Sequence, residues 1–136
     1  MVTALVDTSV WIDYLRAAET AARVNLRGRL AGESPDVLMT EPISMELLAG
    51  PNSERGAAGI VRLVDGLPAV AVAPALDYRA AAAIYRATRR SGRGVRNLSD
   101  CLIAAIAIRA GVTLIHKDAD FESIADVTPL RHESWR

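Results

Sequence analysis

Two short apolar runs, each leading into an aspartate, constrain this chain most: Ala4-Leu5-Val6 before Asp7, and Thr113-Leu114-Ile115-His116 just before Asp118. Runs this short and this apolar read as strands of a sheet covered on both faces. Between them the spacing turns helical. Thr8 and Ser9 open a helix through Trp11, Ile12 and Leu15, with hydroxyls suited to N-capping. A second helix runs from about Glu19 to Leu30 and is ended by Gly32 and Pro35. Val37 to Thr40 reads as another strand, and Thr40 then caps a helix with Pro42 in its first turn, lasting to Gly50-Pro51. Further helices are predicted over Glu54 to Val64 and Ala75 to Arg90, the latter turning Ala82, Ile84 and Tyr85 to the core, with Val70-Ala71-Val72 as a candidate strand between them. Asn97-Leu98-Ser99-Asp100 has the form of a capping box ahead of an apolar helix closed by Gly111. A short helix around Phe121 to Ala125 and an edge strand within Pro129 to Trp135 complete the pattern. Such alternation, without repeat or linker, predicts an α/β fold: one domain over residues 1–136, with a central, mainly parallel sheet flanked by helices.

Composition agrees with a packed domain. Of 136 residues, 51% are hydrophobic and 24% charged, which excludes a disordered chain. Sixteen basic residues, all arginine except Lys117, balance sixteen acidic ones. A nucleic-acid site must therefore be a local patch rather than a global field. The single cysteine, Cys101, has no partner for an intrachain disulfide and enters an apolar helix as a small hydrophobe. Met1 runs straight into the first strand without a leader, and the longest apolar run, Leu102 to Ile108, is too short to span a bilayer. The expected location is the cytoplasm.

The chemistry is expected from carboxylates. Asp7 and Asp118 sit at the C-terminal ends of strands and Asp100 in the first turn of a buried helix, the addresses at which open α/β sheets gather ligands. Glu46 shares a helix face with Pro42, Ile43, Ala49 and Gly50, which implies partial burial. Four acids at one sheet end repel unless a cation holds them, and oxygen-only ligation selects Mg²⁺ or Mn²⁺. Singly, each aspartate has a plainer reading. Asp7 can cap the helix after it, Asp100 can belong to a capping box with Asn97, and Asp118 or Asp120 can cap the Phe121 helix. Glu46, in mid-helix, has no capping role. Other chemistries find less support: His116 and His132 are too few and too far apart in sequence for a zinc site, and Ser9, Ser44 and Ser99 lack a G-x-S-x-G context. Arg86, Arg89, Arg90, Arg93 and Arg96 follow one another with no acid between them, ending just before Asp100. The first three complement a helix C-terminus, while Arg93 and Arg96 can flank an acidic pocket and suit a phosphodiester.

Val6-Asp7-Thr8-Ser9-Val10-Trp11-Ile12, Glu46 within Met45-Glu46-Leu47-Leu48, Val95-Arg96-Asn97-Leu98-Ser99-Asp100-Cys101, and His116-Lys117-Asp118-Ala119-Asp120-Phe121 together resemble the PIN-domain ribonucleases, and more closely the VapC-type toxins of bacterial toxin–antitoxin pairs. The resemblance covers the whole chain in the family's order. It implies a compact α/β/α sandwich and a metal-dependent endoribonuclease that hydrolyses RNA with Mg²⁺ or Mn²⁺. It also implies a homodimer silenced by a cognate VapB-type antitoxin. Carried onto this sequence, Asp7, Asp100 and Asp118 match the metal-binding aspartates and Glu46 the helix glutamate, while Asp120 matches a position of variable role. Two rivals use a similar sheet. An aspartyl-phosphate phosphotransferase with Asp7 as nucleophile commonly wants a second acid where Ser9 stands, and a non-catalytic phosphoacceptor module leaves the arginine-rich loop unexplained.

Overall fold

A computed structural model describes residues 3–32 and 36–136. In chain order the elements are β1 (Ala4–Val6), α1 (Thr8–Leu15), α2 (Ala21–Leu30), β2 (Val37–Leu38), α3 (Glu41–Leu48), α4 (Glu54–Asp65), α5 (Pro74–Arg90), α6 (Leu98–Ala110), β3 (Thr113–His116), α7 (Ala119–Val127) and β4 (His132–Ser134). The expected break at Pro35 lies outside the described residues. Four strands form one sheet in the order β2-β1-β3-β4, every pair parallel, with Ala4 opposite both Val37 and Thr113 and Ile115 opposite Glu133.

This order decides where a site can form. The chain steps from β1 outward to β2, then back past β1 to β3 and on to β4. Right-handed crossovers place α1 and α2 on one face and the helices preceding β3 and β4 on the other. The direction reverses between β1 and β3, so the connections leaving their C-terminal ends diverge and open a crevice there. Asp7 follows β1 and Asp118 follows β3.

The core is apolar on both sides of the sheet. Leu5, Val6, Leu114 and Ile115 are fully buried, as are Trp11, Phe121, Ile103 and Ile106. Helix α6 is apolar nearly all round, with Cys101 and Ile103 to Ala107 buried, which makes it a central helix rather than a surface one. It ends at Gly111, whose φ of 68° is a left-handed cap that glycine adopts without a Cβ penalty. No helix among the described residues is long and apolar enough to cross a membrane.

Four local expectations are corrected. Val70 to Val72 is no strand. The chain there makes only an isolated bridge between Met39 and Ala69, because Pro68 and Pro74 leave too short a stretch to pair. In α5 the inward face is Asp77, Ala81, Ile84 and Thr88, at helical spacing, and Ala82 is exposed. A run of four alanines hides the phase of a helix, so the true face is carried by the polar residues at its edges. Asn97 stands at the N-cap of α6 but makes no side-chain cap bond, so the capping box does not form. His116 and His132, distant in sequence, meet across β3 and β4 with His116 Nε2 3.0 Å from His132 Nδ1.

Candidate metal centre and active site

The crevice is lined by acids delivered from five points of the chain. At the end of β1, Asp7 caps α1: its Oδ2 accepts from the Ser9 backbone N–H at 3.0 Å and from the Ser9 hydroxyl at 2.6 Å. Ser9 Oγ also accepts from the Lys117 backbone N–H at 3.0 Å, which ties the start of α1 to the end of β3. Ser9 thus holds the two walls of the crevice together, a role its position in a helix-opening pair did not reveal. At the end of β3, Asp118 caps α7, with Oδ1 accepting from the Asp120 N–H at 2.9 Å. The capping reading of Asp7 and Asp118 is therefore right, and it does not compete with the site. Capping fixes each carboxylate with one oxygen still available.

Asp100 differs. It is 6% exposed, makes no capping bond, and its Oδ2 is buried without a hydrogen-bond partner among the described residues. An orphaned buried carboxylate oxygen is costly and asks for an explanation. Across the crevice Asp118 and Asp120 supply it: one oxygen from each of Asp100, Asp118 and Asp120 lies within 4.8 Å of the others. Opposite ligands of a Mg²⁺ ion are about 4.2 Å apart, so a small side-chain adjustment closes this set on a hard cation. Asp120 thus joins the tightest group. Asp7 and Glu46 stand outside it, yet the charges of both reach Asp100.

Glu46 projects from the middle of α3, half-buried, and its Oε1 accepts from the Thr8 hydroxyl at 3.1 Å and the Ser99 hydroxyl at 3.5 Å. Those donors come from the first turns of α1 and α6. Thr8 and Ser99 are supports that sequence reasoning missed, since their hydroxyls sit where capping alone suffices to explain them.

Crowding shows in the protonation of these groups. Burial first, and then the charges of Asp7, Asp118, Glu46 and Asp120, push Asp100 up to about 7. Asp7 is raised chiefly by burial, which outweighs the Ser9 hydrogen bonds. Glu46 is raised by burial and by the charge of Asp7. A carboxyl that, like Asp100, still holds its proton near neutrality in the free protein is poised to exchange it for a cation.

Behind the crevice, His116 is buried at the end of β3, and its Nδ1 accepts from the Asp118 N–H at 3.2 Å. That contact assigns the proton to Nε2, which donates to His132. Burial pushes His116 down to about 4. Its folded value lies below the unfolded one of about 6.5, so folding is penalised as pH falls from 6.5 toward 4. The urea midpoint should drop over that window, and His116→Phe should drop less.

The arginine loop divides in two. Arg93 pairs with Asp126 on α7. Arg96 faces the crevice, with Nε 3.3 Å from Asp120 Oδ2 and a terminal nitrogen 3.6 Å from Asp118 Oδ1.

A parallel sheet with a strand-order reversal, and acids from β1, α3, α6 and β3 converging on that point, define a class, and comparison with known proteins gives the same one. The PIN-domain family model matches residues 4–127, and the chain belongs to that family. It is 48% identical over 132 residues to ribonuclease VapC11 of Mycobacterium tuberculosis, covering 97% of this chain and 98% of the relative. A VapC ribonuclease of Mycobacterium bovis matches to the same extent, 48% over 132 residues. Among solved structures, VapBC2 of Rickettsia felis bound to a promoter DNA fragment superposes over 100% of both chains with a TM-score of 0.75 at 15% identity. VapC20 of Mycobacterium tuberculosis, a toxin that cleaves the sarcin–ricin loop, superposes over 94% of this chain and 98% of its own with a TM-score of 0.62 at 22% identity. At such identities these structures speak to the fold.

Proposed function

We propose that this protein is a divalent-metal-dependent endoribonuclease, the toxin of a pair neutralised by a VapB-type antitoxin, with Asp7, Glu46, Asp100 and Asp118 as its working acids. Its 48% identity to VapC ribonucleases over nearly the whole chain supports the substrate class, and the VapBC complexes among its structural neighbours support the partner. The observation that carries the metal is the buried Asp100 carboxylate, with its Oδ2 unpartnered among the described residues and one of its oxygens within 4.8 Å of oxygens of Asp118 and Asp120. The donors are all carboxylate oxygens, as Mg²⁺ or Mn²⁺ prefers. Asp100, Asp118 and Asp7 would hold the ion, with Asp120 contributing from α7. When bound, it supplies positive charge for the scissile phosphate and a more acidic water.

The chain's own groups do the rest. Asp100 gives up its proton to become a ligand, so cation affinity should rise with pH through about 7 and level off above. Glu46 accepts from the Thr8 and Ser99 hydroxyls at Oε1, leaving Oε2 to take a proton from water, and its raised pKa makes it a better base than a free carboxylate. Met45, Tyr78 and Leu98, exposed at 63%, 57% and 57%, form with Ala82 and Leu102 an apolar surface that suits a second copy of the chain in a homodimer.

The direct test is cleavage of single-stranded RNA by the purified protein. Cleavage is expected with Mg²⁺ or Mn²⁺ and none in excess chelator. The melting temperature should climb with Mn²⁺, because a ligand of the folded state alone stabilises it, and Asp7→Asn should blunt that climb. Undiminished cleavage in chelator would remove the metal from the mechanism. Transfer of label from a small phosphodonor onto Asp7 would favour the phosphotransferase instead.

A further inference from the structure

Arg96 lies in the loop between α5 and α6, with its side chain 77% exposed. Its guanidinium rests on Asp120 Oδ2 at 3.3 Å and Asp118 Oδ1 at 3.6 Å, and its backbone N–H separately donates to Asp120 Oδ2 at 3.3 Å. Neither side-chain distance is that of a tight charge-assisted bond, which is closer to about 2.8 Å, and exposed ion pairs hold weakly. Asp118 Oδ1 is moreover already shared with the Asp120 N–H. The guanidinium is therefore loosely docked on the carboxylates that, with Asp100, make up the compact acidic group. Other cations nearby are engaged elsewhere: Arg93 pairs with Asp126 and Lys117 with Asp13.

We propose that Arg96 is an exchangeable counter-ion of the pocket: it neutralises Asp118 and Asp120 in the metal-free chain, yields its place when a divalent cation enters, and so sets the cation concentration at which the site fills. This inference rests on the metal-dependent reading above. The physics is competition between like charges for the same oxygens. An ion held by Asp100 and Asp118 lies within several ångströms of a guanidinium on Asp118, and the repulsion is relieved by swinging the long, exposed side chain into solvent. The backbone contact to Asp120 does not depend on the side chain, so the loop stays anchored when the guanidinium leaves. The opposing view makes Arg96 a brace that orders Asp118 and Asp120, in which case its removal damages the site.

Calorimetric titration of the metal-free protein with MnCl₂ at pH 8 separates the two. Arg96→Gln should bind Mn²⁺ about tenfold more tightly than wild type, the size expected for removing one exposed charge near a divalent ion. Arg96→Lys, which keeps the charge, should stay within about threefold of wild type. Equal or weaker binding by Arg96→Gln overturns the exchange and leaves the metal site standing. Absence of Mn²⁺ binding in both proteins overturns the metal-dependent reading and the exchange with it. A second readout needs no affinity: the Arg96 Nε–H resonance, identified by its loss in Arg96→Gln, should move as Mg²⁺ saturates the site. A resonance that holds still through saturation overturns the proposal.

Discussion

Asp100→Asn is expected to abolish RNA cleavage while making the metal-free protein more stable at pH 8. The carboxyl is buried, crowded by four other acids and held up to about 7, whereas in the unfolded chain it titrates near 3.8. A group raised on folding contributes stability that is full below its unfolded pKa and is lost as pH climbs through its folded pKa. Wild type should thus lose, through this one residue, on the order of 3 kcal/mol between pH 4 and pH 8. Asparagine keeps the shape and drops the charge. The urea-denaturation difference between variant and wild type should be near zero at pH 4, grow through pH 5 to 7, and flatten above. A chelated wild-type protein as stable as the variant at pH 8 would mean that the acids are not crowded as described. Added Mn²⁺ should reverse the order, since only wild type retains the full site.

The second large effect lies at the far end of α6. Asp77, with its side chain 2% exposed, accepts from Arg109 through both oxygens, Nε to Oδ1 at 2.8 Å and a terminal nitrogen to Oδ2 at 3.0 Å. Oδ2 also accepts from the Ala73 N–H at 2.7 Å, and Arg109 donates to the Ala71 carbonyl at 2.7 Å. This fork clamps the start of α5 to the end of α6. Asp77 is buried but Arg109 is exposed, so Asp77→Ala strands no buried charge; the loss of these charge-assisted bonds should cost about 2 kcal/mol and lower the melting temperature by roughly 7 °C. Asp77→Ala combined with Arg109→Met should cost less than the sum of the singles, which a double-mutant cycle in urea measures. Arg109 stands nine residues beyond Asp100, about 14 Å along the helix axis, so cleavage per folded molecule should be unchanged. Additive losses in the cycle would show that the fork contributes little as a pair.

These two acids also show what a sequence can display. Asp100 was legible only as one of a set: singly a capping box with Asn97 explained it, but Glu46 in mid-helix had no capping role, and Asp7 and Asp118 end apolar runs whose parallel pairing brings them together. Asp77 was invisible. It occupies the first turn of a long helix, where an acid is ordinary, and its partner lies 32 residues away, with nothing local to join them. The phase of α5 was lost for the same reason, since its alanines carry no polarity to orient the helix. Asn97 and Asp100 had the right types and spacing for a capping box, yet Asp100 is buried toward the other acids and the reciprocal bonds are not made. The histidines read as distant because sequence distance was the measure. The register of β3 on β4, which no local pattern encodes, puts them in contact. Helix starts were legible at Asp7 and Asp118, where the side chain makes the cap bond, whereas Thr20 and Ser53 make the same bond at starts whose caps no reading of the sequence had singled out.

The placement of β1 between β2 and β3 has a consequence for biosynthesis. Its register against β3 joins Ala4 to Thr113, so the middle of the sheet stays open on one side until the ribosome has released residues more than a hundred positions downstream. Contacts of such long range form late and slowly. The same delay applies to the acids, because Asp7 emerges early while Asp100, Asp118 and Asp120 emerge near the end. A product terminated before α6 lacks three of the five site carboxylates, Asp100, Asp118 and Asp120, together with β3. On the proposed ribonuclease reading, catalytic competence is then deferred until translation is nearly complete.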